Sequence, residues 1–309
     1  SKRDLSDSYD RYKELKSIDY VLCKTQICYQ FFNFIKTEKY QNIQNIYKYQ
    51  TIYTKFTSII MKEIQTKYND NDNIQRHQHD PNLFIHLAGK SSFKNTTELV
   101  YCWIKNKGFL DIDPDIKLVI TCFGQCLKWF RSNFRWIDTK YNFDKDPNVI
   151  INKNKTIATY KNMIIYFKPI EPLSHYIDII AKANVAICIS YKEGYGHYIN
   201  EVRYMKKFII TMDYPPMNEL VKDKDESKNG NGILLKDKSH FNNQTGVYKG
   251  TNFEFYEAFP VMTELRDSII WCIKNKTKLQ PYGENGRQMF LDDKQYFEEK
   301  MEKFIGSKL

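Results

Sequence analysis

The chain has no apolar run approaching the ~18 to 20 residues that span a bilayer, although 42% of its 309 residues are hydrophobic. A transmembrane role is therefore not expected, while that apolar fraction supports a packed core in one large or two ordinary domains. Residues 1–6 lack the apolar core of a secretory signal. A paired cysteine framework is lacking too. The seven cysteines (Cys23, Cys28, Cys102, Cys122, Cys126, Cys188 and Cys272) are odd in number and scattered. Several fall inside apolar runs, as buried free thiols do, and a reducing, cytoplasmic location is expected. Cys122 and Cys126 have no second His or Cys pair nearby, so no zinc site is read from them. Asn95, Asn154, Asn243 and Asn275 open Asn-x-Thr triplets, which carry no meaning without a secretion signal. Also absent is a block of five or more basic residues, despite a net charge of +10. The lysines are spread out, and Lys, Asn, Ile, Tyr and Phe are all abundant. A low-G+C genome accounts for that bias, so a nucleic-acid partner is not expected.

Residues 1–80 are polar, with two islands of order. Ile18–Cys23 reads as a short strand with a helix behind it at Thr25–Lys36, and Thr51–Ile60, rich in β-branched and aromatic residues, as another strand. The stretch between Lys67 and Pro81 has linker composition, which places a domain boundary at about residue 80 and a second domain over 81–309. From Leu83 the pattern alternates. Strands are expected at Leu83–Ala88, Ile116–Cys122, Met163–Phe167, Val185–Ser190, Phe208–Met212 and Asn231–Leu235. Helices are expected from a cap at Thr96 or Thr97 to Lys107, over Gly124–Asn133, from a cap at Ser174 to Ala183, and over Val261–Lys274 and Asp292–Ile305. Strand and helix alternation of this kind predicts a doubly wound α/β sheet. A long polar excursion runs from Asp223 to Pro260.

The centre of the chain is Glu193-Gly-Tyr-Gly-His-Tyr-Ile-Asn-Glu201, set between the strands Val185–Ser190 and Phe208–Met212. In open parallel sheets, ligands bind at the carboxyl ends of the strands, where Glu193, Gly194 and Gly196 fall. Backbone N–H groups at a helix start suit a phosphate, and each carboxylate can accept from a pair of hydroxyls. The pattern fits a ligand carrying both phosphate and hydroxyls.

The order of motifs is Gly89-Lys90 with Lys94-Asn95, then Phe167-Lys168-Pro169, then Ala183–Ser190, then Glu193-Gly-Tyr-Gly with Asn200-Glu201, then Asp213 with Glu219-Leu-Val221, then Gly232–Leu235. This succession resembles the nucleotide-sugar domain of retaining glycosyltransferases with the GT-B fold and the E-x(7)-E signature. The resemblance covers residues 82 to about 300. It implies a Rossmann-like doubly wound donor domain, preceded by a short or incomplete acceptor-side α/β segment over 1–80. It implies that Glu193 lies beside the donor sugar as the catalytic carboxylate and that Glu201 takes the ribose hydroxyls. It further implies that Gly194, Tyr195, Gly196 and His197 face the sugar and diphosphate, that Lys90 and Lys94 neutralise the diphosphate, and that Phe167 and Lys168 line the base pocket. The family commonly has Arg in place of Lys90 and one more residue between the two basic positions.

The reaction implied is transfer of a sugar from a UDP- or GDP-sugar to a glycan, protein or small-molecule acceptor, with retention and without a metal. The nucleotide sugar is then a substrate, and no cofactor is expected. Asp111-Ile-Asp113 has the letters of a metal-binding triplet but leads into a strand, and reads as a loop. An idle sugar-nucleotide-binding module and a nucleotide-sugar epimerase remain open on the same motifs, and the sequence leaves acceptor and oligomeric state undetermined.

Overall fold

The computed structural model describes residues 15, 17–37, 48–55, 64, 79–128, 130, 142–225, 228–237 and 258–307. The chain divides into two compact units. One comprises Ser1–Phe56, Gly246–Phe255 and Asp293–Leu309, the other Thr57–Thr245 and Tyr256–Asp292. The stretch 65–78, which covers most of the expected linker, lies outside the described residues.

The first unit contains β1 (Tyr20–Cys23), α1 (Gln26–Thr37) and β2 (Gln50–Tyr53). The two strands pair in parallel, with Tyr20 opposite Gln50 and Cys23 opposite Tyr53. The Tyr49 hydroxyl donates to the Phe32 carbonyl of α1 at 2.8 Å, which ties the helix to the sheet. Sequence periodicity carries β2 on to Ile60. The strand instead stops at Tyr53, because Lys55 adopts a left-handed φ of 57° that turns the chain; residues 56–60 lie outside the described set.

The second unit is built on an eight-stranded sheet. Its strands are β3 (Leu83–Gly89), β4 (Lys117–Cys122), β5 (Val149–Ile151), β6 (Ile157–Tyr160), β7 (Met163–Tyr166), β8 (Val185–Cys188), β9 (Phe208–Met212) and β10 (Gly232–Leu235). The order across the sheet is β10-β9-β8-β3-β4-β7-β6-β5. The six strands from β10 to β7 run parallel, while β6 and β5 join antiparallel. Every residue of β8 and β9 is buried, as expected of parallel strands covered on both faces. Helices α2 (Thr96–Lys105), α3 (Leu173–Lys182), α4 (His197–Tyr204), α5 (Met217–Leu220) and α6 (Met262–Lys274) belong to this unit, as does the part of α7 (Gln280–Gly306) that precedes Asp293.

The α/β class and six of the expected strands are present in this unit. The hairpin β5–β6 is an addition that the motif pattern does not reveal. Neither proposed threonine cap acts as one: α2 begins at Thr96 after Asn95, whose φ is 52° and whose side chain makes no cap bond. Similarly, α3 begins at Leu173 after Pro172, leaving Ser174 inside the first turn. The last helix starts at Gln280 rather than Asp292. Pro281 is compatible with a first turn, and Gly283 lies so close to the Lys206 backbone that an added Cβ would sit 2.1 Å from the Lys206 carbonyl oxygen. Gly283 therefore serves packing, and together with Pro281 it hides the start of the helix from periodicity.

The chain leaves β3 to one side for β4 and β7, then returns to the other side of β3 with β8 and continues outward to β9 and β10. The strand order reverses between β3 and β8. Crevices outside the carboxyl ends of strands at such a reversal are where open α/β sheets take their ligands.

Candidate active site

Two loops leave the sheet at this reversal. The loop after β3 carries Lys90 and Lys94 into α2, and the loop after β8 carries Glu193 through Gly196 into α4. They meet through a buried ion pair between Lys94 Nζ and Glu193 Oε1. The side chains are 10% and 12% exposed, so this pair is largely removed from solvent screening. Burial pushes the Lys94 ammonium below its usual range, opposed by the charges of Glu193 and Glu201. Glu201, nearly buried in α4, receives a long hydrogen bond of 3.5 Å from the Tyr176 hydroxyl of α3. Burial, with Glu201 adding to it, raises Tyr176 well above the usual tyrosine value, so this hydroxyl keeps its proton.

Lys94 and Glu193 are thus brought together, with Glu201 close enough to act on the Lys94 charge. Gly196 precedes α4 with a φ of 84°, the left-handed region where glycine is strongly preferred. Gly194 has no such requirement: a Cβ built there meets nothing within 4 Å. Tyr195 is buried with its ring edge-to-face on the exposed His197, at 5.4 Å. Lys90 is exposed, its stem lying against Gly124. Phe167 is buried at the end of β7 and Lys168 is exposed; neither takes part in the bonds at Lys94 and Glu193.

Two residues of the site escape sequence reasoning. Ser190 Oγ donates to Glu193 Oε1 at 2.8 Å, and Ser190 Oγ and the Tyr198 hydroxyl lie 2.6 Å apart. The Lys94 ammonium sits 3.5 Å above the Tyr198 ring. The only signal in the sequence is position, Ser190 ending the apolar run before Glu193 and Tyr198 standing in the first turn after Gly196.

Beneath the loops, His86 of β3 is fully buried. Its Nδ1 is 2.8 Å from the Ile187 carbonyl of β8 and its Nε2 3.0 Å from Thr96 Oγ1 at the start of α2. A carbonyl only accepts, so Nδ1 carries the proton and Thr96 donates to Nε2. Burial pushes this imidazole down to about 4, which keeps it neutral. Outside the pair, Phe93, Tyr191 and Phe259 form a run of rings, and the Tyr191 N–H donates to the Phe93 carbonyl at 2.9 Å. This bond fixes the two loops to each other.

Asp113 of the acidic triplet is ion-paired with Lys276, whose hydrogen bond holds the Asp113 carboxyl below the usual carboxylate range. Among the described residues, no group of three or more His, Cys, Asp or Glu is arranged to hold a metal ion, and no helix is long and apolar enough to cross a membrane.

No family model and no curated protein matches the sequence. Solved structures do match. The chain is similar to the pneumococcal O-GlcNAc transferase GtfA in complex with UDP and GlcNAc, with a TM-score of 0.57, 15% identity, and coverage of 97% of this chain and 47% of that one. It is similar to a mutant of S. aureus TarM in complex with Fondaparinux, alpha-GlcNAc-glycerol and UDP (TM-score 0.60, 12% identity, 99% and 48% covered). It is also similar to the trehalose-6-phosphate synthase OtsA (TM-score 0.57, 11% identity, 97% and 62% covered). The chain spans about half the length of the first two. At these identities the likeness is one of architecture, and it agrees with the reversal of strand order and the parallel sheet: the chain has the fold of GT-B glycosyltransferases.

Proposed function

We propose that this chain is a retaining glycosyltransferase that takes a nucleotide sugar as donor. The observation that carries the reading is the meeting of Lys94 and Glu193, with Glu201 close by, at the carboxyl ends of β3 and β8. A nucleoside diphosphate sugar has three features to recognise: an anionic diphosphate, sugar hydroxyls and ribose hydroxyls. Lys94, with Lys90 at the rim, is the anion partner. Glu193 accepts from the sugar hydroxyls, and Glu201 accepts from the ribose. The α4 N-terminus adds backbone donors.

Catalysis on this reading is stabilisation of the departing diphosphate by cations already in place, with donor and acceptor held in line. Lysine and a helix terminus supply that charge without a metal. Uridine is the first base to test, because the GtfA and TarM structures each hold UDP. The acceptor is a glycan, a protein or a small molecule.

The test is thermal unfolding against UDP-, GDP- and ADP-sugars, with and without EDTA, using Glu201→Ala as control. A ligand at ~100 times its Kd stabilises by about 2.7 kcal/mol. The reading expects a shift with one base, unchanged by EDTA and lost in the variant, followed by release of the nucleotide in a turnover assay. No shift with any donor overturns it. Because the chain spans only part of its neighbours' length, a donor-binding module without turnover is the second reading, and binding without nucleotide release would favour it.

A further inference from the structure

Resting on the donor-site reading, we propose that Tyr198 is a positioning residue with two separable functions: its ring face holds Lys94 for the diphosphate, and its hydroxyl, through Ser190, fixes Glu193 for the sugar. Four groups form a closed circuit. Lys94 pairs with Glu193, Glu193 accepts from Ser190, Ser190 contacts the Tyr198 hydroxyl, and the Tyr198 ring lies under the Lys94 ammonium at 3.5 Å.

The direction of the hydrogen bonds follows from donor inventory. An ionised carboxylate only accepts, so the single Ser190 proton goes to Glu193 Oε1. The 2.6 Å contact must then be supplied by the Tyr198 proton, donated to Ser190 Oγ. Burial lifts the Tyr198 phenol well above its ordinary value, so that proton is present throughout the accessible pH range. The Ser190 proton therefore points at one oxygen of Glu193, the Tyr198 proton backs it from behind, and Oε2 stays outside the relay. Chains of this kind polarise each other and strengthen the last bond. Ser190 is wholly buried and Tyr198 nearly so, which gives the relay one conformation and excludes competing water.

The two functions use different parts of one side chain and different parts of one ligand. Cation–π attraction depends on the ring face, which phenylalanine keeps. The relay depends on the hydroxyl, which phenylalanine lacks. Substitutions at Tyr198 and Ser190 should thus separate diphosphate binding from sugar binding, a split that a merely structural tyrosine would not produce.

The experiment is calorimetric titration of the full chain and of Tyr198→Phe, Tyr198→Leu and Ser190→Ala. The probes are UDP, GDP and ADP, then the glucose conjugate of whichever binds, with thermal unfolding as a check on each variant. Tyr198→Phe and Ser190→Ala should bind the free diphosphate within about twofold of wild type. The nucleotide sugar should bind at least about fivefold more weakly to Ser190→Ala, which loses a hydrogen bond to a charged group, and about threefold more weakly to Tyr198→Phe, which loses the neutral bond behind it. Tyr198→Leu should weaken both probes by at least about fivefold. If that variant does not fold, Tyr198→Phe and Ser190→Ala still decide the matter. Wild-type affinity for the nucleotide sugar in both conservative variants, or equal loss of both probes, overturns the proposal while leaving the donor reading intact. Absence of binding by the wild-type chain sinks the donor reading, and the proposal with it.

Discussion

Lys94, on the loop after β3, and Glu193, on the loop after β8, are 99 residues apart in sequence and form a buried ion pair across the point where strand order reverses. Each neutralises the other in a place where an isolated charge would be costly. Removing one partner of such a pair strands the other, and that loss typically reaches 3–5 kcal/mol. At this semi-enclosed site, about 3 kcal/mol of destabilisation is expected for Lys94→Met in urea unfolding. Glu193→Gln on that background should recover part of the loss, since no buried charge is then left alone. Both variants should lose diphosphate affinity. Additive single-mutant losses would mean that the pair is not coupled in solution.

The bolt below these loops gives a second prediction, in acid. His86 titrates near 4 in the folded chain, against an ordinary value of 6.5. Between those values the unfolded chain binds a proton that the folded chain refuses, so stability falls as pH drops through this window. The slope is at most about 1.4 kcal/mol per pH unit. His86→Asn keeps a donor at the position of Nδ1 but cannot charge. It should be less stable than wild type at pH 7, because Thr96 loses its acceptor, yet decline less steeply than wild type from pH 6.5 to 4. His79, also lowered by burial, is common to both proteins and cancels in the difference. Parallel curves would rule the histidine out as the source.

How much of this was legible in the sequence depends on what each feature is made of. The unit β8–α4–β9 is carried by two apolar runs and a glycine turn, all local signals, and it stands where they put it. Glu193 and Lys94 could be named because motif order carries them. The hairpin β5–β6 could not, since its strands are three and four residues long and lie among Asn and Lys. Ser190 and Tyr198 were missed for another reason. Which hydroxyl reaches Glu193 is decided by the curvature of the turn between them, and no spacing rule records it.

Glycine identity in that turn gives a third test. Gly196 holds a φ of 84°, and an added Cβ would come within 3.1 Å of Ile199 Cδ1 and 3.2 Å of Leu220 Cδ1. The left-handed backbone alone disfavours alanine there by about 1–2 kcal/mol. Gly194 has open space and no left-handed φ. Gly196→Ala should therefore lower the unfolding free energy by at least about 1 kcal/mol, while Gly194→Ala should stay within about 0.5 kcal/mol of wild type. Equal effects at the two positions would contradict the turn geometry.

The last prediction concerns a buried lysine that follows α4, eleven residues after Gly196. Lys207 donates from Nζ to the Ala181 carbonyl at the end of α3, at 2.6 Å. Its neighbour Lys206 pairs with Glu284 and so brings Lys207 no compensating anion. Burial, with Lys206 adding repulsion, pushes Lys207 down to about 7 from an ordinary 10.5. Between those values the unfolded chain holds a proton that the folded chain has released, so stability rises with pH. Below about 7 both states are charged and the full penalty of burial is present; above 10.5 neither is, and the penalty is gone. Lys207→Met loses the bond to Ala181 at every pH, a constant term, and cannot titrate. The gap between variant and wild type should therefore shift in favour of wild type by up to about 1.4 kcal/mol per pH unit from pH 7 to 9. Chemical denaturation of both proteins at pH 6, 7, 8 and 9 measures it. A gap that does not change with pH would show that Lys207 is not the buried titrating group.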